Sequence, residues 1–281
     1  MSYVTPKEFA VKMVDAGESK IFMSTKDTLI RAFMAGAILA LAAAFAVTIA
    51  VNTGNFLVAS LLFPVGFCLL YLMGFDLLTG VFTLAPLAVI AKRPGCTWGG
   101  VFRNWGLVFT GNFAGAMTTA ILMAVVFTTG FSAEPNAVGQ KIGTIGEART
   151  LGYAAAGGAG LLTVFVRAIL CNWMVSTGVV AAMMSTSTSG KIMAMWMPIL
   201  VFFYLGFEHS IVNMFLFPSG IMLGGQFTWA DYFIYNEIPV VLGNLVGGLT
   251  FVGAMIYATH FRESPKRNAN RNDDVAGVPA E

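Results

Sequence analysis

Gly206-Phe207-Glu208-His209-Ser210-Ile211-Val212-Asn213-Met214-Phe215 is the stretch on which the fold turns. The run MAMWMPILVFFYL precedes it and LFPSGIML follows it. Such flanks belong in hydrocarbon, where one charge near the bilayer centre costs about 2.5–3.5 kcal/mol on insertion scales. Here a glutamate and a histidine stand side by side. An ionisable residue in that setting marks a functional site or a buried structural bond.

A second interruption answers the first: Gly74-Phe75-Asp76-Leu77-Leu78-Thr79-Gly80. Gly74 and Gly206 are 132 residues apart, and the same offset pairs Phe75 with Phe207 and Asp76 with Glu208. Downstream it pairs Asn104 with Asn236, Gly111 with Gly243, Asn112 with Asn244 and Gly115 with Gly247. This pattern predicts an internal duplication with interrupted membrane segments at corresponding places, the arrangement that marks binding sites in transporters.

The 281 residues are 57% hydrophobic and 11% charged, against roughly 25% charged in soluble domains. One membrane domain therefore accounts for nearly all of the chain. Cys68, Cys96 and Cys171 have no paired spacing, which argues against a disulfide framework or a zinc site. The first apolar stretch is too long for a signal-peptide core. No nucleotide-binding loop occurs, so nothing points to ATP-driven pumping.

Residues 1–27 read as an amphipathic segment opened by a capping box, Thr5-Pro6-Lys7-Glu8. Spans are expected at 32–51, 56–91, 105–131, 153–184, 192–223 and 238–259, within a pore domain of 28–260. The repeats fall at about 28–131 and 152–260. Residues 132–150 read as a polar loop and 261–281 as a charged tail. The second span, as one helix at 1.5 Å per residue, would overreach a core of about 30 Å, so it must break. Asp76 marks that break and is placed to N-cap the following half-helix.

Lys7, Lys12, Lys20, Lys26, Arg31, Lys92, Arg93, Arg103, Lys191, Arg262, Lys266, Arg267 and Arg271 fall on one side of this topology. Lys141 and Arg149 fall on the other. Both termini are therefore expected in the cytoplasm. Three spans per repeat, an odd number, make the duplication an inverted one. The fold class expected is an all-α membrane protein of six transmembrane helices, a 3+3 inverted repeat with two broken helices meeting at mid-membrane.

A loop at membrane depth needs partners for its backbone. Asp76, Glu208, Asn112 and Asn244 are read as supports of the two broken loops. His209 has no counterpart, since the repeat puts Leu77 there. With Thr79, Asn172 and Asn213 it forms the candidate substrate pathway. No second histidine, cysteine pair or carboxylate stands in ligand spacing to His209, so no metal site and no cofactor are called for.

GFDLLTG, RNWGLVFTGNFAGA, RAILCNWMV, GFEHSIVNMFLFPSGI and IPVVLGNLVGG together resemble the formate/nitrite transporter family, nearest its formate-channel members. The resemblance implies an aquaporin-like fold, a homopentamer in the cell membrane with one pore per protomer, and small monovalent anions as cargo. It makes His209 the central pore histidine, Thr79 its partner and Asn172 a chamber residue. Leu77, Leu78, Phe67, Phe202 and Val175 match constriction positions. Many members carry a lysine near the outer end of the fourth span. Here Ala156 stands at that place, with Lys141 and Arg149 the nearest basic residues.

An unpaired anion in a dry constriction faces a steep desolvation cost, which a neutral acid avoids. A histidine between two constrictions could therefore protonate formate or a similar anion. The alternatives are a nitrite or hydrosulfide channel, a neutral-solute channel, passage of the bare anion, and, least supported, a membrane enzyme. No nucleic-acid partner is indicated; the partners expected are the anion, a proton, the lipid bilayer and copies of the chain.

Overall fold

The structure, a computed structural model, describes residues 3–261. The tail expected beyond residue 261 lies outside the described residues. Apart from one isolated bridge between Tyr3 and Ser185, the regular structure among the described residues is helical. In chain order the α-helices are α1 (Pro6–Phe22), α2 (Thr25–Thr53), α3 (Phe56–Leu62), α4 (Val65–Leu72), α5 (Leu78–Ile90), α6 (Trp98–Phe127) and α7 (Ala137–Ala148). They continue as α8 (Leu151–Ala155), α9 (Gly157–Met184), α10 (Thr188–Tyr204), α11 (Ser210–Met222), α12 (Trp229–Tyr232) and α13 (Ile238–Gly248). The last helical run also holds three π-helical stretches, Phe233–Glu237, Leu249–Ala254 and Tyr257–Phe261.

Among the described residues four runs are long and apolar enough to cross a membrane: Thr25–Thr53, Trp98–Phe127, Gly157–Met184 and Trp229–Phe261. The two over-long apolar stretches are instead pairs of short helices, Phe56–Leu72 with Leu78–Ile90, and Thr188–Tyr204 with Ser210–Met222. Both breaks are built alike. Gly74 and Gly206 have positive φ, 71° and 67°, a conformation that costs glycine no steric clash. The next N–H folds back on the helix: Phe75 N donates to Leu70 O at 2.9 Å and Phe207 N to Phe202 O at 3.1 Å. These are Schellman-type helix stops.

The glycines shared by α6 and α13 are contact points. A methyl on Gly115 would run into the carbonyl oxygen of Phe33 on α2, and one on Gly247 into that of Ile169 on α9. Close backbone approach through small residues is the usual device of helix packing in lipid.

Three expectations need correction. The stretch 132–150 is not an irregular loop, because α7 occupies most of it, capped by Asn136, whose side chain accepts from Val138 N and Gly139 N. Its Val138 and Ile142 are buried. The third and last helical runs start earlier than their apolar cores, at Thr97, whose hydroxyl accepts from Gly100 N, and at the Thr228/Asp231 capping box. Asp76 does not cap α5: the N-cap is Leu77, without a side-chain bond.

Candidate functional site

The loops that join α4 to α5 and α10 to α11 are each held by one asparagine. Asn112 on α6 accepts from Leu78 N at 2.9 Å and donates to Asp76 O and Ala32 O at 2.9 and 2.7 Å. Asn244 on α13 accepts from Ser210 N at 3.0 Å and donates to Glu208 O and Ala168 O at 3.0 and 2.8 Å. Leu78 and Ser210, and Asp76 and Glu208, stand at the 132-residue offset. Each amide thus satisfies a first-turn N–H and a loop carbonyl that no helix partner reaches.

The two carboxylates meet cations from amphipathic helices or their ends. Lys20 on α1 lies 2.6 Å from Asp76 Oδ1. Arg149, just beyond α7, lies 3.5 Å from Glu208 Oε2. Asn104 donates to Lys20 O and Asn236 to Arg149 O, so the brace behind each cation is also repeated. Glu208 is fully buried and receives more: Tyr153 OH donates to Oε1 at 2.8 Å, and Asn213 Nδ2 to Oε2 at 3.0 Å. Arg167 donates in turn to Tyr153 OH at 2.8 Å. A buried carboxylate survives only with such charge pairing and hydrogen bonding. The spacing of the sequence carried no sign of Lys20, Arg149 or Tyr153 as partners.

His209 is the N-cap of α11. Its Nδ1 accepts from Val212 N at 3.2 Å, and its Nε2 lies 3.3 Å from Thr79 Oγ1. An Nδ1 that accepts carries no proton, so the neutral ring holds its hydrogen on Nε2. Nε2–H therefore donates to Thr79, whose own hydroxyl hydrogen is left to serve another acceptor. Phe67 stands edge-on to the imidazole at 5.4 Å between centroids, and Phe202 stacks on it at 5.8 Å.

Two cavities adjoin this pair, one reaching Thr79 and the other reaching His209. One, of about 220 Å³, is lined by Phe67, Leu77, Thr79, Val175, Lys20 and Asp76 among others. The second, of about 430 Å³, is lined by Phe202, His209, Lys141 and Arg149 among others. The remaining candidates sit behind these walls. Leu78 is buried with its N–H on Asn112 and lines neither cavity. Asn172 spends its amide hydrogens on Thr79 O at 3.1 Å and Asn244 O at 2.7 Å. Asn213 belongs to the Glu208 network, donating also to Asn236 at 2.7 Å. Among the described residues no group of three or more His, Cys, Asp or Glu is placed to hold a metal ion.

The family model for formate/nitrite transporters matches residues 7–258. The chain belongs to the formate/nitrite transporter family. Relatives agree along most of its length. A probable formate transporter of Methanothermobacter thermautotrophicus is 39% identical over 74% of this chain and 76% of its own. Formate channel FocA of Escherichia coli K12 is 30% identical over 89% of this chain and 93% of its own. A solved FNT family ion channel superposes with a TM-score of 0.78 at 25% identity, covering 90% of this chain and 99% of that one. A second structure, titled a pentameric formate channel with formate bound, shares the fold at a TM-score of 0.70 and 24% identity over 83% and 96% of the two chains. Membership makes this a membrane channel or transporter rather than an enzyme.

Proposed function

We propose that the protein conducts formate, or a monovalent anion of similar size, through a pore inside each protomer. The observation that carries this is the Thr79–His209 pair, whose imidazole packs against the rings of Phe67 and Phe202, with one cavity reaching Thr79 and the other reaching His209. Relatives named as formate channels support the cargo. We take each pair of short helices as one crossing, giving six crossings in a 3+3 inverted repeat, with both termini cytoplasmic. In this reading residues 28–260 form the pore domain of a homopentamer in the cell membrane, and α1 lies on its cytoplasmic side. The matching breaks, asparagine clamps and ion pairs support the repeat.

The cost to be met is the desolvation of the anion. The half-helices α5 and α11 begin beside the pair and direct their positive ends toward it. Thr79, accepting from His209, donates its hydroxyl hydrogen to the anion, and the hydrogen bond it receives polarises the one it gives. Phe67, Phe202, Leu77 and Val175 keep bulk water out. Protonation of the anion by His209 requires the imidazolium. That form donates from both nitrogens and must give up the bond from Val212. The bond geometry favours hydrogen-bond donation by His209 over proton transfer from it, with any co-moving proton joining the anion in a vestibule.

Purified protein in liposomes, tested with formate, nitrite, hydrosulfide, lactate and glycerol, decides the cargo. Formate flux well above that of glycerol is expected. Equal flux of glycerol and formate would make the pore a neutral-solute channel.

A further inference from the structure

The two vestibules are chemically unlike. In the smaller, the cation Lys20 is held by Asp76. In the larger, Arg149 is held by Glu208, but Lys141, on the exposed face of α7, has no ion-pair or hydrogen-bond partner among the described residues. The remaining walls are strongly apolar, with Phe56, Phe203, Phe207 and Leu216 prominent. A cavity of about 430 Å³ falls in the range of small-molecule sites, roughly 300–1,000 Å³. Its inner end is closed to anything broad, because Phe67 and Phe202 meet edge to face at 5.8 Å and each is only 1% exposed.

We infer that this larger vestibule binds monovalent organic anions that carry an apolar tail, and that such anions plug the pore from this face alone. The carboxylate or sulfonate rests on the Lys141 ammonium, and the tail lies along Phe203 and Phe207. A one-carbon anion lacks the tail and moves on to Thr79. The smaller vestibule offers neither a spare cation nor an aromatic wall of this extent. The inference rests on the reading of the two cavities as the mouths of one anion pathway. Each tail methylene buried there strengthens binding roughly threefold to fourfold.

Alkanesulfonates are suitable probes because they stay ionised and do not leak through the bilayer. Hexanesulfonate and methanesulfonate are applied to either face of oriented proteoliposomes during formate flux, and their equilibrium binding to the purified full chain is measured by calorimetry. Hexanesulfonate is expected to bind, to block from the α7 face and not from the α1 face, and to exceed methanesulfonate by at least tenfold. Lys141→Gln should weaken binding and block roughly tenfold, the loss of one charge-assisted hydrogen bond, and Lys141→Arg should restore both. Equal block from the two faces, no gain with tail length, or undiminished binding in Lys141→Gln would overturn the inference. Calorimetry is independent of transport: absent formate flux with intact, Lys141-dependent hexanesulfonate binding refutes the proposed cargo and leaves the site standing. Formate flux with no hexanesulfonate binding refutes the site alone.

Discussion

Substituting His209 by asparagine separates the two duties of its ring. An asparagine side-chain oxygen still accepts from Val212 N as a cap, but nothing takes the place of Nε2–H on Thr79. Formate flux should fall about tenfold, matching one lost hydrogen bond of about 1.4 kcal/mol, while the oligomer stays folded. Flux, internal pH and current recorded from one preparation should show proton movement per formate unchanged. Loss of that coupling would instead establish His209 as the proton carrier. Arg149→Ala tests the second charge at the site. Removing one partner of a fully buried pair costs about 3–5 kcal/mol, but the Arg149 side chain is 26% exposed and Glu208 keeps Tyr153 and Asn213. About 1–2 kcal/mol is therefore expected, read as a lower thermal midpoint of the detergent-purified oligomer and recovered by Arg149→Lys.

At the scale of elements, α1 is held at its start by charge. Glu8 Oε2 accepts from Thr5 N at 2.9 Å and from Thr5 Oγ1 at 2.8 Å, and these bonds, the backbone one first, hold its carboxyl below the usual range. A depressed folded-state pKa gives stability that is fully present above the unfolded value, about 4.3, and is lost as pH falls through the folded one. Hydrogen-exchange protection in the first turn of α1, taken relative to the intrinsic rate at each pH, should fall as the Glu8 carboxyl is protonated in acid, and Glu8→Gln should abolish that dependence. The capping box was legible because its partners are three residues apart. So were the breaks, because an apolar run too long for one crossing that carries a glycine and a carboxylate has few other readings. Helix α7 was not legible: Gly139, Gly143 and Gly146 depress helix propensity. Gly143 and Gly146 are there for packing, against Gly225 and Phe227. Lys20 and Arg149 escaped notice because their carboxylates lie far along the chain and only the fold brings them together.

At the scale of the molecule, the proposed inverted repeat sets the two amphipathic helices on opposite faces of the membrane. Cysteines placed singly near Lys12 on α1 and Lys141 on α7 should be labelled by an impermeant reagent from opposite sides. Labelling of both from one side would remove the six-crossing topology. The proposed pentamer should be seen as five copies by native mass spectrometry in mild detergent, and a monomer or dimer alone would count against it. The helical membrane fold and the breaks could be read from residue types and spacing. The cargo could not, because a pore of this shape does not name its ion, and that step rested on the motifs around Glu208 and His209.

The partners of each broken loop have a consequence for how the chain is made. Lys20, Asp76, Asn104 and Asn112 are all synthesised before residue 131, and Arg149, Glu208, Asn236 and Asn244 all after it. Each half thus holds both members of its own ion pair and needs nothing from the other to form it. Links such as Thr79 to His209 and Asn172 to Thr79 O are left for the docking of the halves. Two polypeptides divided in the turn before Asn136, expressed together, should therefore reassemble into a conducting pore.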